Sequence, residues 1–182
     1  MEEFLRAVGA PVGIDPELAG TGRRVAEAFA TEFLAGYDED PAQILAESTR
    51  ATSSGLVIVR DISITTMCPH HLMPAKGIAH LGYLPASSIV GFGALVRLLS
   101  CFSRRLSLQE TLGENIVEAL STHLGARGAG CVLRLDSTCL SARGERAHGA
   151  TTLTHAFRGT FASDSAARAE FLGALGEAAT SP

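Results

Sequence analysis

The order of hydrophobic patterns along the 182-residue chain predicts an α+β domain with an antiparallel sheet packed by two helices. Three observations carry this expectation. The run Leu-Val-Ile-Val-Arg-Asp-Ile-Ser-Ile at 56–64 is rich in β-branched residues and is followed by a second strand pattern. Two helical stripes come next, and strand patterns then return, giving the order β-β-α-α-β-β.

Taken in order, residues 1–10 read as a short amphipathic helix with Phe4, Leu5 and Val8 on one side, and two acids near its start suit a helix N-terminus. Residues 11–20 form a turn region. Thr21 is the expected cap of a helix in which Val25, Phe29 and Phe33 recur every four residues, ending near Gly36 and carrying Arg24 in its first turn. Residues 38–54 read as a connection with one helical turn around Ile44 and Leu45. The strand at 56–64 is answered by a returning strand at 77–84, which Pro85, Ser87 and Ser88 end in a turn.

Leu95, Leu98, Leu99 and Phe102 mark one helix, and Leu112, Ile116, Leu120 and Leu124 the next. Cys131 to Asp136 and residues 151–161 are the closing strands, and Ser163 can cap a last helix through Ala166, Phe171 and Leu175. The expected organisation is a helical extension over 1–54 and one main domain over 55–182.

The composition excludes several function classes. Net charge is −4, Lys76 is the single lysine and no basic run occurs, so the footprint of a general nucleic-acid binder is missing. No stretch approaches a bilayer span and no apolar leader follows a basic segment, which predicts a cytoplasmic protein. Four scattered cysteines make no disulfide framework. Cys101 and Cys131, in apolar surroundings, are expected to pack, whereas Cys68 and Cys139 remain available to a metal.

The chemistry gathers in Met67-Cys68-Pro69-His70-His71-Leu72, between the first two strands, and in Asp136-Ser137-Thr138-Cys139. Cys68 and His71 can hold one Zn²⁺ from a single turn, and Cys139 can supply a third ligand, leaving the fourth position open as in a catalytic site. By itself a Cys-x-x-His pair is weak evidence, because a cysteine is more often a small apolar core residue. His70 strengthens it by placing a proton carrier beside a ligand.

Over about 18–175 the chain resembles GTP cyclohydrolase I, of the tunnelling-fold superfamily. The resemblance rests on Thr-Gly-Arg-Arg-Val-Ala at 21–26, Val-Arg-Asp-Ile at 59–62, Cys-Pro-His-His-Leu at 68–72, Gln-Glu at 109–110 and Cys-Leu-Ser-Ala-Arg-Gly at 139–144. It implies Cys68, His71 and Cys139 as zinc ligands and His70 as a proton-transfer residue. It also implies Glu110, with Gln109 beside it, as the acceptor of the guanine edge, and Arg24, Arg97 and Arg143 as triphosphate ligands. In such enzymes water adds at C8 of GTP, the imidazole ring opens, formate leaves and a dihydropterin ring closes, usually giving 7,8-dihydroneopterin triphosphate. The resemblance further implies a homo-oligomeric ring, usually a decamer, with sites shared between subunits.

Three departures stand out. Ser137 occupies the position of a second catalytic histidine, and a hydroxyl does not titrate near neutral pH. Phe92-Gly93-Ala94 stands where a Ser-Lys pair is common, and Pro69 replaces a glutamate. His148 and His155 are the candidates to replace the lost imidazole, although both also read as surface or packed histidines. The expectation is therefore a zinc hydrolase opening the imidazole ring of a guanine nucleotide, completing the reaction or stopping at a formamide. The alternatives are action on a pterin or modified purine, and a non-catalytic purine- or pterin-binding protein.

Overall fold

Acidic residues open α1 (Glu2–Ala7) and Arg6 closes it, as the helix dipole favours, yet Phe4 and Val8 are exposed. The structure is a computed structural model describing residues 1–176, so the last six residues of the expected domain 55–182 lie outside the described residues.

Helix α2 (Thr21–Ala28) begins differently from expectation: Gly20, left-handed at φ 73°, holds the cap position, and Thr21 Oγ1 instead accepts from Arg24. The helix also does not run on to Gly36. Leu34 N–H donates to Phe29 O at 2.8 Å, a π turn over Phe29–Phe33, and a 3₁₀ turn follows at Ala35–Asp38. The cause is at Gly36, whose N–H donates to Arg104 O. A Cβ there would stand 2.2 Å from Cys101 O, so only glycine lets the chain turn against that backbone.

Asp40 caps α3 (Pro41–Ala46) by accepting from Ala42 N–H at 2.9 Å, and α3 carries Leu45 into the core. Strand β1 (Ser48–Arg50) follows it. The β-branched run becomes β2 (Val57–Met67), which turns tightly into β3 (Pro74–Leu84). β4 (Ser88–Val90) pairs with β1 in a two-stranded sheet that the sequence reading missed. Three-residue strands are too short to show a period.

The two stripes form α4 (Phe92–Ser103) and α5 (Gln109–Thr122). Then come β5 (Gly128–Ser137), one turn of helix α6 (Thr138–Ser141), β6 (Thr152–Gly159), α7 (Thr160–Ser163) and α8 (Ser165–Ala174). The cap of α8 is Asp164, not Ser163: its carboxylate accepts from Ala166 and Ala167 N–H. Ser163 ends α7, so its hydroxyl turns back to Gly159 O.

The main sheet has the order β2-β3-β5-β6, antiparallel throughout, the α+β architecture expected. Its core lies on one face, where Leu95, Leu98, Leu112 and Ile116 of the helices meet Leu81, Tyr83, Leu133 and Leu135. Each such side chain contributes about 1.5–3 kcal/mol by leaving water. Val132 on the other face meets Phe161, Phe171 and Leu175. Cys101 and Cys131 are buried, in keeping with packing roles, and no described helix is long and apolar enough to cross a membrane.

His80, on β3, is fully buried. Its Nδ1 accepts from Asp61 N–H at 3.2 Å, at a bulge where Asp61 takes φ 60°. Burial is the main cause lowering its pKa; Asp61 opposes the shift, and Arg134 and Arg60 add to it. The imidazole is therefore held neutral in the fold. Its contribution to stability is present above the unfolded value of about 6.5 and is lost as pH falls from that value through the lower folded one, by at most about 1.4 kcal/mol per pH unit. Urea midpoints measured from pH 7 downward are expected to show this slope beginning near 6.5, and His80→Leu to remove it.

Candidate metal centre and ring-binding cavity

The site begins with the β2–β3 hairpin. Met67 pairs with Pro74, Cys68 N–H donates to Met73 O and Leu72 N–H to Cys68 O, both at 2.9 Å. The turn closes only because Leu72 takes a left-handed φ of 51°, a strained state for a residue with a side chain. Two residues, Pro69 and His70, then separate Cys68 from His71, and Cys68 Sγ lies 3.9 Å from His71 Nδ1.

The third member arrives from β5. Ser137 pairs with Ala75, so the chain leaving β5 runs beside the hairpin, and Thr138 Oγ1 donates to Pro74 O at 2.5 Å. That bond starts α6 and presents Cys139 to the turn. The ligand atoms of Cys68, His71 and Cys139 lie within 4.8 Å of one another. Burial raises the Cys139 thiol's pKa, and the neighbouring Cys68 sulfur raises it further.

These residues fit Zn²⁺. Tetrahedral bonds of about 2.3 Å to sulfur and 2.0 Å to nitrogen set ligand edges near 3.5–3.8 Å, close to the sulfur–nitrogen spacing found. Two thiolates and an imidazole are a donor set that zinc favours. The Nε2 of His71 accepts from Arg143 Nη1 at 3.0 Å.

One cavity of about 230 Å³ adjoins the cluster. Cys68, Cys139 and Ser137 line it together with Gln109 and Glu110 of the first turn of α5, and Thr66, Ser107, Leu108 and Thr152 form part of the wall. Leu106 bridges to Met67 and Ser107 N–H reaches Met67 O at 3.4 Å, which holds the start of α5 beside the end of β2. The volume is below the roughly 300–1,000 Å³ of sites for drug-sized ligands.

The side chain of Gln109 is already engaged. Its amide nitrogen donates to Leu133 O and Thr152 O at 3.0 and 3.2 Å, and its oxygen accepts from Thr152 Oγ1 at 2.5 Å. Glu110, in contrast, is exposed. Its carboxylate sits on the first turn of a helix whose cap residue, Leu108, offers no side-chain acceptor. His70 is exposed, its ring centroid 6.2 Å from that of His71.

Of the three arginines expected at the phosphates, the chain brings only Arg143 to the metal cluster. Arg24 donates to Ala19 O, Glu17 O and Thr21 Oγ1, and Arg97 pairs with Glu47 at 2.6 Å; neither lines the cavity. His148 and His155 do not line it either. His148 is exposed in the loop before β6, and the His155 ring stacks on Phe157. Thr66 and Thr152 escaped the sequence reading. Thr66 lies two positions before Cys68 on the same strand face, a signal available in the alternation, whereas Thr152 depends on the β5–β6 register.

The sequence model of the family described as GTP cyclohydrolase I matches residues 1–176. A protein named GTP cyclohydrolase 1 from Campylobacter lari is 41% identical over 165 residues, covering 88% of this chain and 86% of its own length. The protein of that name from Rhodopirellula baltica is 38% identical over 183 residues, covering 99% and 80%. That from Corynebacterium glutamicum is 41% identical over 164 residues, covering 87% and 83%. Among solved structures, an archaeosine synthase QueF-Like in the apo form aligns with 15% identity and a TM-score of 0.48, over 60% of this chain and 97% of that one.

Proposed function

The chain belongs to the GTP cyclohydrolase I family, and from that premise we propose that it is a zinc-dependent hydrolase opening the imidazole ring of GTP or a related guanine nucleotide at C8. The observation that carries this reading is the single cavity lined at once by Cys68, Cys139, Ser137 and Glu110. A Zn²⁺ ion on Cys68, His71 and Cys139 supplies a Lewis acid and lowers the pKa of a water molecule.

The rest falls to the chain's own groups. Glu110, an acceptor only, suits the two adjacent N–H donors of a guanine edge. His70 stands outside the ligand set and is free to move a proton. When His71 binds through Nδ1, its proton resides on Nε2. Arg143, a donor only, then loses that acceptor and becomes available to a phosphate oxygen. Gln109 is assigned a positioning role beside Glu110. In the same reading, Arg24 and Arg97 reach phosphates only within an oligomer, as in a ring of identical subunits whose sites are shared. The unpaired outer edges of β2 and β6 among the described residues favour such an assembly. Free thiols at the site suit the reducing cytoplasm.

Ser137 at the cavity favours a second reading, in which the reaction stops at the ring-opened formamide or the protein binds a purine or pterin without turning it over. The deciding experiment is mass spectrometry of products after anaerobic incubation of zinc-loaded protein with GTP, beside Glu110→Gln. The expected result is zinc-dependent 7,8-dihydroneopterin triphosphate or the formamide, reduced at least about 10²-fold in the variant, because a charge-assisted recognition pair is broken and a donor is left facing a donor. Unchanged GTP overturns the hydrolase reading, and a pterin bound in competition then supports the binding one.

A further inference from the structure

Thr66 is 4% exposed, and its Oγ1 is buried without a hydrogen-bond partner in the described chain. A buried hydroxyl in that state has given up its bonds to water for nothing within the protein. Valine has the same outline and suits a strand at least as well, so a threonine there has no structural advantage. Thr66 lines the cavity that also holds Glu110.

The other hydroxyls and amides around that cavity are largely committed. Thr152 Oγ1 donates to Gln109 Oε1 and lies 3.1 Å from Leu135 O, the Gln109 amide is tied to Leu133 and Thr152, and Ser107 Oγ donates to Leu108 O. Ser137 belongs to the metal end, beside Cys139. The unspent donor in the buried wall is Thr66. The bridge from Met67 to Leu106, and the bond from Ser107 N–H to Met67 O, bring the segment leading into Glu110 alongside it.

A guanine edge needs such a group. It presents two N–H donors, which a carboxylate accepts, and an oxo oxygen beside them, which a carboxylate repels. We propose that Thr66 is a specificity-determining residue of the ring subsite, its hydroxyl donating to the exocyclic oxo oxygen of a bound 2-amino-oxo purine while Glu110 accepts from the ring N1–H and the exocyclic 2-amino group. The inference rests on the guanine reading above and adds the donor that reading lacks.

The test compares GTP with 6-thio-GTP, which keeps both N–H donors but replaces the oxo oxygen by sulfur, a much weaker acceptor. Inhibition and turnover constants are measured on zinc-loaded wild-type protein, Thr66→Val and Glu110→Gln, with thermal unfolding of each. Thr66→Val is expected to raise KM for GTP about 5–10-fold, the effect of one neutral hydrogen bond. It should leave kcat and the 6-thio-GTP constant within about twofold, and unfold no earlier than wild type. Glu110→Gln is expected to weaken both nucleotides alike.

Equal effects of Thr66→Val on the two nucleotides, no effect on either, or a lowered unfolding temperature overturn the assignment while the guanine reading stands. Failure of wild-type protein to bind or convert either nucleotide overturns that reading and the inference with it.

Discussion

Alanine at Cys139 is expected to remove both the zinc ion and the turnover of GTP, with the fold intact. Cys139 sits in the single turn of α6, half-buried, and the core helices and strands do not pack on its side chain. Its loss leaves Cys68 and His71, two ligands from one hairpin, against the three that a catalytic zinc site ordinarily draws from protein. Dialysed wild-type protein should retain about one zinc per chain and the variant under about a tenth of that. Activity should fall by at least about 10³-fold, since the Lewis acid and the activated water go together. Metal content by plasma mass spectrometry and the urea midpoint are read on the same samples. A variant that keeps its zinc sinks the assignment of Cys139, and one that loses zinc but not activity sinks the metal's part in the reaction.

The second large effect runs the other way. Ser137 ends β5 at the cavity wall, two residues before Cys139 and opposite Ala75. Ser137→His places an imidazole where a hydroxyl now stands, and a positioned general acid–base group is worth about 10²–10⁴-fold. Formation of 7,8-dihydroneopterin triphosphate is expected to rise by about 10²-fold, at the low end because the surrounding wall is built for serine. The pH–rate profile should gain a second ionisation. Any formamide released by the wild type should be consumed. An unchanged rate in a correctly folded variant means that another group already carries the proton, and the wild type then completes the ordinary reaction.

What the sequence showed, and what it hid, divides by the range of the interaction. Helices α4 and α5 were legible because each buries one stripe and so writes a period into the chain, and strands β2, β3, β5 and β6 because apolar, β-branched runs are bounded by turn residues, even where β3 and β5 are buried on both faces. Cys68 and His71 were legible because one turn holds both. Cys139 was legible as an outlying cysteine at a strand end; that it meets them depends on the pairing of Ala75 with Ser137. The caps of α2 and α8 were each misplaced by one residue, because Gly20 and Asp164 compete with adjacent hydroxyl residues for the same position. The π turn after α2 was not legible at all: the stripe of Val25, Phe29 and Phe33 reads as uninterrupted helix, and the break is imposed by distant backbone at Cys101 and Arg104. For the same reason Arg97 could not be placed, since its partner Glu47 lies far away in the chain, whereas Arg24 turns back onto its own segment, to Glu17 O, Ala19 O and Thr21 Oγ1.

Gln109 has a bearing on how substitutions in this chain will read out. Its amide is a mechanical tether joining the first turn of α5 to two strands, through Leu133 and Thr152, and the residue it restrains is its neighbour Glu110. Displacing a recognition group by about 1 Å can cost 10²-fold in rate. In a mutational scan Gln109 and Thr152 will therefore score as strongly as ligand-binding residues while their hydrogen bonds run only to the protein. The positions that set the aim of Glu110 are spread over one helix and two strands, so sensitivity to change will trace the anchorage of the carboxylate more widely than the outline of whatever molecule it holds.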